Sequence, residues 1–174
     1  MRDNYQINIE KLGIIEYGEC LLLQQRTHAQ IVGSPGTGTL LCVEHPDVLT
    51  LGKHADLRHL KMAEPYLQSI GIQIHRIDRG GEVTAHEPGQ LVVYPIVRLF
   101  DLGLMPRQYV SILEDAVIST LLRFDIQASR DEEHPGVWVG SNKICAIGVR
   151  IKERVSLHGI ALNVCNTCLL YTSP

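Results

Sequence analysis

The sequence predicts an α+β domain: mixed, largely antiparallel sheets packed with helices. Strand-like runs stand before and after one long helical segment, and the connections between them are short enough to join antiparallel neighbours. The chain, at 174 residues, is also long enough for one core, shows no internal repeat, and is too short to divide comfortably in two.

Each element follows from its local pattern. Ile7 and Ile9 alternate with polar residues and open a strand, and Tyr17 to Val32 has helical periodicity through Leu21, Leu22, Gln25, Ala29 and Val32. Gly33-Ser34-Pro35-Gly36-Thr37-Gly38 breaks that helix; lacking the Lys-Ser or Lys-Thr ending of a phosphate-binding loop, it reads as a connection. Thr39 to Glu44 and Val48 to Leu51 read as strands joined by a turn at His45-Pro46-Asp47, followed by a short helical stretch near Ala63 to Ser69. Ile72 to Ile77 alternates as a half-buried strand, and Leu91 to Val97 is a continuous apolar run. Pro106 suits a first helical position, and Tyr109, Ile112, Leu113, Ala116, Val117, Thr120 and Leu121 mark one face of the longest helix. Gly136 to Val139, Ile144 to Ile151 and Val155 to Val164 complete the strands.

Composition narrows the function. A net charge of −3 leaves no basic footprint for neutralising phosphates, which argues against a nucleic-acid partner. No apolar run approaches the length of a membrane span and the N-terminus lacks a signal-peptide core, so the expected location is the cytoplasm, away from membranes. Five cysteines, an odd number lying mostly in apolar runs, suggest reduced thiols. Cys165 and Cys168 form a C-x-x-C pair without the second pair a zinc site needs, and no metal is expected. His45, His54 and His59 read as scattered surface histidines.

The stretch Arg79-Gly80-Gly81-Glu82-Val83-Thr84-Ala85-His86-Glu87-Pro88-Gly89-Gln90 combines close-approach backbone with a guanidinium, a hydroxyl and an imidazole, between two strand-like runs. It reads as a site at a sheet end. Lys143 opens an apolar strand, where partial loss of water disfavours the ammonium and brings a neutral amine within reach; the other reading is a strand-start lysine with its head in solvent. Cys145 alternates to the same strand face as Lys143, and apolar surroundings make its thiol inert.

Several of these words stand in the order found in one family. Leu49-Thr50-Leu51-Gly52-Lys53-His54, Arg79 to Thr84, Pro88-Gly89-Gln90 with Tyr94-Pro95, Gly136-Val137-Trp138-Val139, Lys143-Ile144 and His158-Gly159 with Ala161-Leu162-Asn163-Val164 together resemble the octanoyltransferases of lipoate assembly, in the biotin/lipoate protein ligase-like superfamily. The resemblance implies a ligase-like catalytic domain and a two-step acyl transfer that needs no ATP, metal or other cofactor. A cysteine thiolate takes octanoyl from octanoyl-acyl carrier protein, and the acyl-enzyme passes it to a lysine on the lipoyl domains of 2-oxoacid dehydrogenases or on the glycine cleavage H protein. It assigns Lys143 to proton handling, and the acyl pocket to Arg79, Gly80, Gly81, Glu82, Val83, Thr84, Ala85 and His86, to Ala146, Ile147 and Gly148, and to Gly159, Ile160 and Ala161.

The chain departs from the family wording at Ala85 and Glu87, where tyrosine and glycine are usual, and the Pro-Cys-Gly setting of the nucleophile has no match. The expected organisation is one incomplete catalytic domain over 1–166 with a foreign tail over 167–174, so that turnover of the chain as it stands is expected to be negligible. Two rivals share these features: an ATP-dependent lipoate or biotin protein ligase, and a non-catalytic module that binds acyl groups or lipoyl domains.

Overall fold

A computed structural model describes residues 5–131 and 134–166, without the side chain of residue 59. The expected tail, 167–174, lies outside the described residues. The larger sheet has seven strands: β1 (Gln6–Ile14), β2 (Thr37–Glu44), β6 (Gln90–Val97), β7 (Ser129–Arg130), β8 (Val137–Val139), β9 (Asn142–Lys152) and β10 (Val155–Asn163), in the spatial order β1-β2-β6-β10-β9-β8-β7. A smaller sheet of β3 (Val48–Leu51), β4 (Gln73–Arg76) and β5 (Val83–His86) has the order β4-β3-β5. The pairs β1 with β2 and β3 with β4 are parallel and the others antiparallel, as the short connections predicted.

Three helices complete the layers: α1 (Tyr17–Val32), α2 (Glu64–Ser69) and α3 (Pro106–Leu122). Helix α1 is the crossover between parallel β1 and β2, and its Cys20 and Ile31 pack on Leu41, Val43, Val92, Tyr94, Ile96 and Ala161. Helix α3 covers the opposite face, with Val117 and Leu121 against Val137, Cys145 and Leu162. Neighbours Ala161 and Leu162 thus point to different layers, as strand alternation requires. The smaller sheet has its own apolar centre in Leu49, Leu67 and Ile72.

Two departures from the sequence reading matter. Ile7 and Ile9 form a strand, yet their side chains are 50% and 59% exposed, because β1 is an edge strand. Val83–His86, inside the stretch that reads as lying between two strands, is itself strand β5. Short and flanked by glycines, it offers too little alternation to be distinguished from a loop.

Between β6 and β10 the ladder runs from Ile160 to Asn163. Further along, the Ser156 hydroxyl substitutes for it, accepting from Val97 N at 3.0 Å and donating to Pro95 O at 2.6 Å. Pro95 O also accepts from the Tyr109 hydroxyl at 3.2 Å, so replacing Ser156 with Ala should cost about 1–3 kcal/mol chiefly by leaving Val97 N buried and unpaired. A midpoint in urea unchanged from the parent would contradict this.

Candidate functional site

The site lies where the smaller sheet meets the α1 face of the larger one. Gly80 N donates to Val149 O at 3.2 Å, and Gly52 N donates to Glu82 O at 2.8 Å, so the glycine-rich stretch is clasped by main chain from both sheets. That clasp explains Gly81, whose φ of 82° favours glycine, and Gly52, where a Cβ would stand 2.4 Å from Gly81 O. Arg79 threads inward from the clasp. Its Nη2 donates to Thr50 O, Thr50 Oγ1 and Thr84 Oγ1 at 2.8–3.0 Å, and Nη1 donates to Gly80 O at 2.9 Å. Burial disfavours the guanidinium charge, which these neutral oxygens offset.

The hairpin of β9 and β10 supplies the second wall. Gly148 pairs with Gly159 and Ala146 with Ala161, a small-residue strip against which Arg79 lies. A Cβ on Gly148 would stand 2.8 Å from Arg79 Cδ. Together Tyr17, Arg79, Thr84, His86, Val92, Tyr94, Ala146, Gly148, His158, Gly159, Ile160 and Ala161 enclose a narrow cavity of about 20 Å³, room for roughly one water.

Of the residues singled out from sequence, Arg79, Thr84, His86, Ala146, Gly148, Gly159, Ile160 and Ala161 meet at this cavity. Gly80, Gly81 and Glu82 form the clasp behind it. Val83 and Ala85 are turned away, against the centre of the smaller sheet, and Ile147 packs in the α3 layer. Alternation along β5 and β9 dictates those three positions.

Lys143 owes its direction to a β-bulge. Val137 pairs with Cys145 and Trp138 with Lys143, so Ile144 is the extra residue. Ile144 and Cys145 both join the α3 layer, and Lys143 emerges on the face of Trp138, its Nζ 4.8 Å from the ring centre. Lys143 and Cys145 are therefore on opposite faces, contrary to simple alternation. Burial lowers the Lys143 pKa, while the charges of Asp131 and Glu82 oppose the shift. Lys143 is not among the residues that line the cavity.

The imidazoles are the larger surprise. His45 is not a surface residue: it is fully buried, with Nδ1 2.7 Å from Ile15 O and Nε2 2.8 Å from Tyr94 Oη. The carbonyl takes the Nδ1 proton, so Nε2 accepts from the tyrosine. His54 is exposed. His86 Nδ1 stands 2.8 Å from Gln90 Oε1, and Gln90 Nε2 donates to Asn163 Oδ1, linking the cavity to the end of β10. His158, Tyr17 and Tyr94 also line the cavity, although no local pattern marked them as site residues. Their rings come together only in the fold, Tyr17 lying 5.2 Å from His45 and 6.0 Å from His86 between ring centres.

Thiols divide by burial. Desolvation pushes Cys20 and Cys145 up to about 12, so both are protonated near neutrality. Cys165 is exposed, its Sγ 3.8 Å from Gly89 O, and Cys168 lies outside the described residues. Among the described residues no group of three or more His, Cys, Asp or Glu could hold a metal ion, and no helix is long and apolar enough to cross a membrane.

Residues 16–169 match the lipoyl protein ligase A/B catalytic domain family. An octanoyltransferase of Syntrophobacter fumaroxidans is 44% identical over 160 residues, which are 92% of this chain and 70% of that protein. An octanoyltransferase of Alkaliphilus metalliredigens is 43% identical over 164 residues, or 91% and 73%. Among solved structures, a putative lipoate protein ligase from T. acidophilum superposes with a TM-score of 0.75 at 16% identity, covering 93% of this chain and 70% of that one. Lipoate-protein ligase A bound with ATP gives 0.72 at 14% identity, covering 93% and 67%. At such identities the structures establish the fold.

Desolvation first, then the His45 ring, hold the pKa of His86 down to about 3; desolvation and the Arg79 and Arg150 cations hold His158 down to about 4. Because the fold favours their neutral forms, the unfolded chain takes up protons first. Stability should be full above about pH 7 and fall as pH drops from 6.5 toward 4, by up to about 1.4 kcal/mol per pH unit for each ring. Urea titrations across that range should give this slope, and His86→Asn should reduce it.

Proposed function

This chain belongs to the lipoyl protein ligase A/B catalytic domain family, and we propose that it is an octanoyltransferase of protein lipoylation, moving an octanoyl group through a thioester to a lysine amine. The observation that carries the reading is the shared cavity: Arg79, Thr84 and His86 from one stretch face Ala146, Gly148 and Gly159 to Ala161 from another. An eight-carbon tail gains roughly 0.8 kcal/mol per methylene removed from water, and small residues leave it a path. With only about 20 Å³ free, the tail enters by displacing side chains.

In this reading octanoyl-acyl carrier protein supplies the acyl group, and lipoyl domains, including that of the glycine cleavage H protein, accept it in the cytoplasm. Thiolate attack on the donor thioester forms the acyl-enzyme and releases the carrier thiol. The acceptor amine then attacks the same carbonyl, C–N forms as C–S breaks, and the amine proton leaves through a base. Lys143 fits proton handling, because partial burial favours its neutral amine and its strand starts beside the cavity wall. Cys20 and Cys145, buried and protonated, do not serve as the nucleophile.

Incubation with octanoyl-acyl carrier protein should yield an octanoyl adduct by intact mass that hydroxylamine removes, and peptide mapping would identify the thiol. No adduct, together with pyrophosphate release from ATP and octanoate, would point to a ligase instead. Lys143→Ala should lower transfer to a lipoyl domain by about 10²-fold or more while leaving octanoate affinity nearly unchanged. Gly148→Ala, which drives a Cβ toward Arg79, should do the reverse and weaken octanoate binding, measurable by calorimetry.

A further inference from the structure

Gly136-Val137-Trp138 and Lys143-Ile144, separate motifs in the sequence, are one structure in the fold. Strand β8 is paired on both sides, with Trp138 opposite Ser129 of β7 and Lys143 of β9. Its residues alternate. Val137 is fully buried beside Cys145 in the α3 layer and anchors the strand, which leaves Gly136 and Trp138 to the other face.

Lys143 lies along that face. A Cβ at Gly136 would stand 3.4 and 3.5 Å from Lys143 Cδ and Cε, so the lysine stem crosses the glycine before its Nζ reaches the indole, 4.8 Å from the ring centre. Gly136 is held to glycine by a φ of 135° and by Cys145 O, 2.6 Å from where a Cβ would be. The indole is fixed in turn: its Nε1 donates to His134 O at 3.2 Å, and the ring of His134, paired with Asp131, meets it edge-on at 6.2 Å.

An aromatic face attracts a cation through its quadrupole and has no comparable hold on a neutral amine. Lys143 is therefore drawn to Trp138 only while it carries a proton. Among the described residues, the other groups that act on this charge are Asp131, Glu82 and, from the opposite strand face, Cys145; all of them favour the ammonium, and burial opposes it. On the indole the lysine stands apart from the residues that line the cavity, whereas a proton-handling amine must be able to approach the reacting atoms. We propose that Trp138 is a positioning residue for Lys143: the indole keeps the side chain outside the cavity while the amine is protonated and releases it when the proton is lost, so that the form able to act as a base is the mobile one. Only the task of the released amine rests on the acyl-transfer reading above. There it takes a proton from the attacking thiol or from the acceptor ammonium, N–H forming as S–H or the acceptor N–H breaks. The new ammonium returns to the indole, where Lys143 is exposed and passes the proton to water.

Trp138 is the single tryptophan of the chain, so its emission reads the contact directly. In a pH titration of the whole chain, tryptophan fluorescence should change with the same midpoint as the labelling of Lys143 by an amine-reactive reagent, mapped by mass spectrometry. Lys143→Met should abolish the fluorescence transition, and Lys143→Arg, charged throughout, should keep the low-pH emission to the alkaline end. Losing the ring's attraction disfavours the ammonium, so Trp138→Leu should lower the labelling midpoint by about half a pH unit and Trp138→Phe by less. The acid limb of the pH profile for octanoyl transfer should move down with it, because the neutral amine is the working form. A labelling midpoint identical in the parent and both Trp138 variants, or a fluorescence transition that survives Lys143→Met, would overturn the inference. If the Trp138 variants do not fold, the Lys143→Arg titration decides, and a transition that persists there overturns it. A chain that titrates as stated but forms no octanoyl adduct overturns the acyl-transfer reading alone.

Discussion

A buried guanidinium at the seam of two sheets is the constraint on which the site depends. Arg79 bonds Thr50 and Thr84 in the smaller sheet while its stem lies on Gly148 of the larger one. A cation in that position is tolerated only with its donors satisfied, so the two sheets must keep a fixed separation. The glycines serve this arrangement. Gly148 and Gly159 remove side chains where Arg79 and the Val93 carbonyl pass, and a Cβ on Gly159 would stand 2.1 Å from that carbonyl.

Around this seam the polar groups form one connected shell. Arg79 reaches Thr50, Thr50 lies 3.5 Å from His86 Nε2, and Gln90 carries the chain from His86 to Asn163 at the end of β10. His86 meets the ring of His45 edge-on at 5.6 Å, and His45 with Tyr94 forms the adjoining hydrogen-bonded group that reaches Ile15 O before α1. Such a shell is rigid because each member is oriented by the next, and its rings stay uncharged because water is excluded. On the proposed acyl-transfer reading, a chain entering here would meet aromatic faces and neutral nitrogens, with the cation already engaged.

Much of this was legible in sequence where the cause is local. The periodicity of Tyr17 to Val32, the helix opened by Pro106 and the strands from Ile144 onward set the layers, and the Arg79 to His86 stretch was visible through its glycines. What escaped depends on distant partners. His45 looked like a loop histidine because its two hydrogen-bond partners, Ile15 and Tyr94, lie 30 and 49 residues away. The Ile144 bulge, which separates Lys143 from Cys145, exists only in pairing with β8, and nothing in a period of two announces it. His158 was quoted as part of a motif, yet its left-handed backbone, the feature that brings it to the cavity, has no local sequence cause.

The outer margin of the larger sheet has its own logic. Strand β1 joins β2 in parallel and slips register between Lys11 and Gly13. Exposed isoleucines on a free margin invite another chain to add itself, and a local irregularity flanked by a lysine spoils the template. The same slip that looks like an imperfection in pairing therefore works as a safeguard against unwanted polymerisation at high concentration.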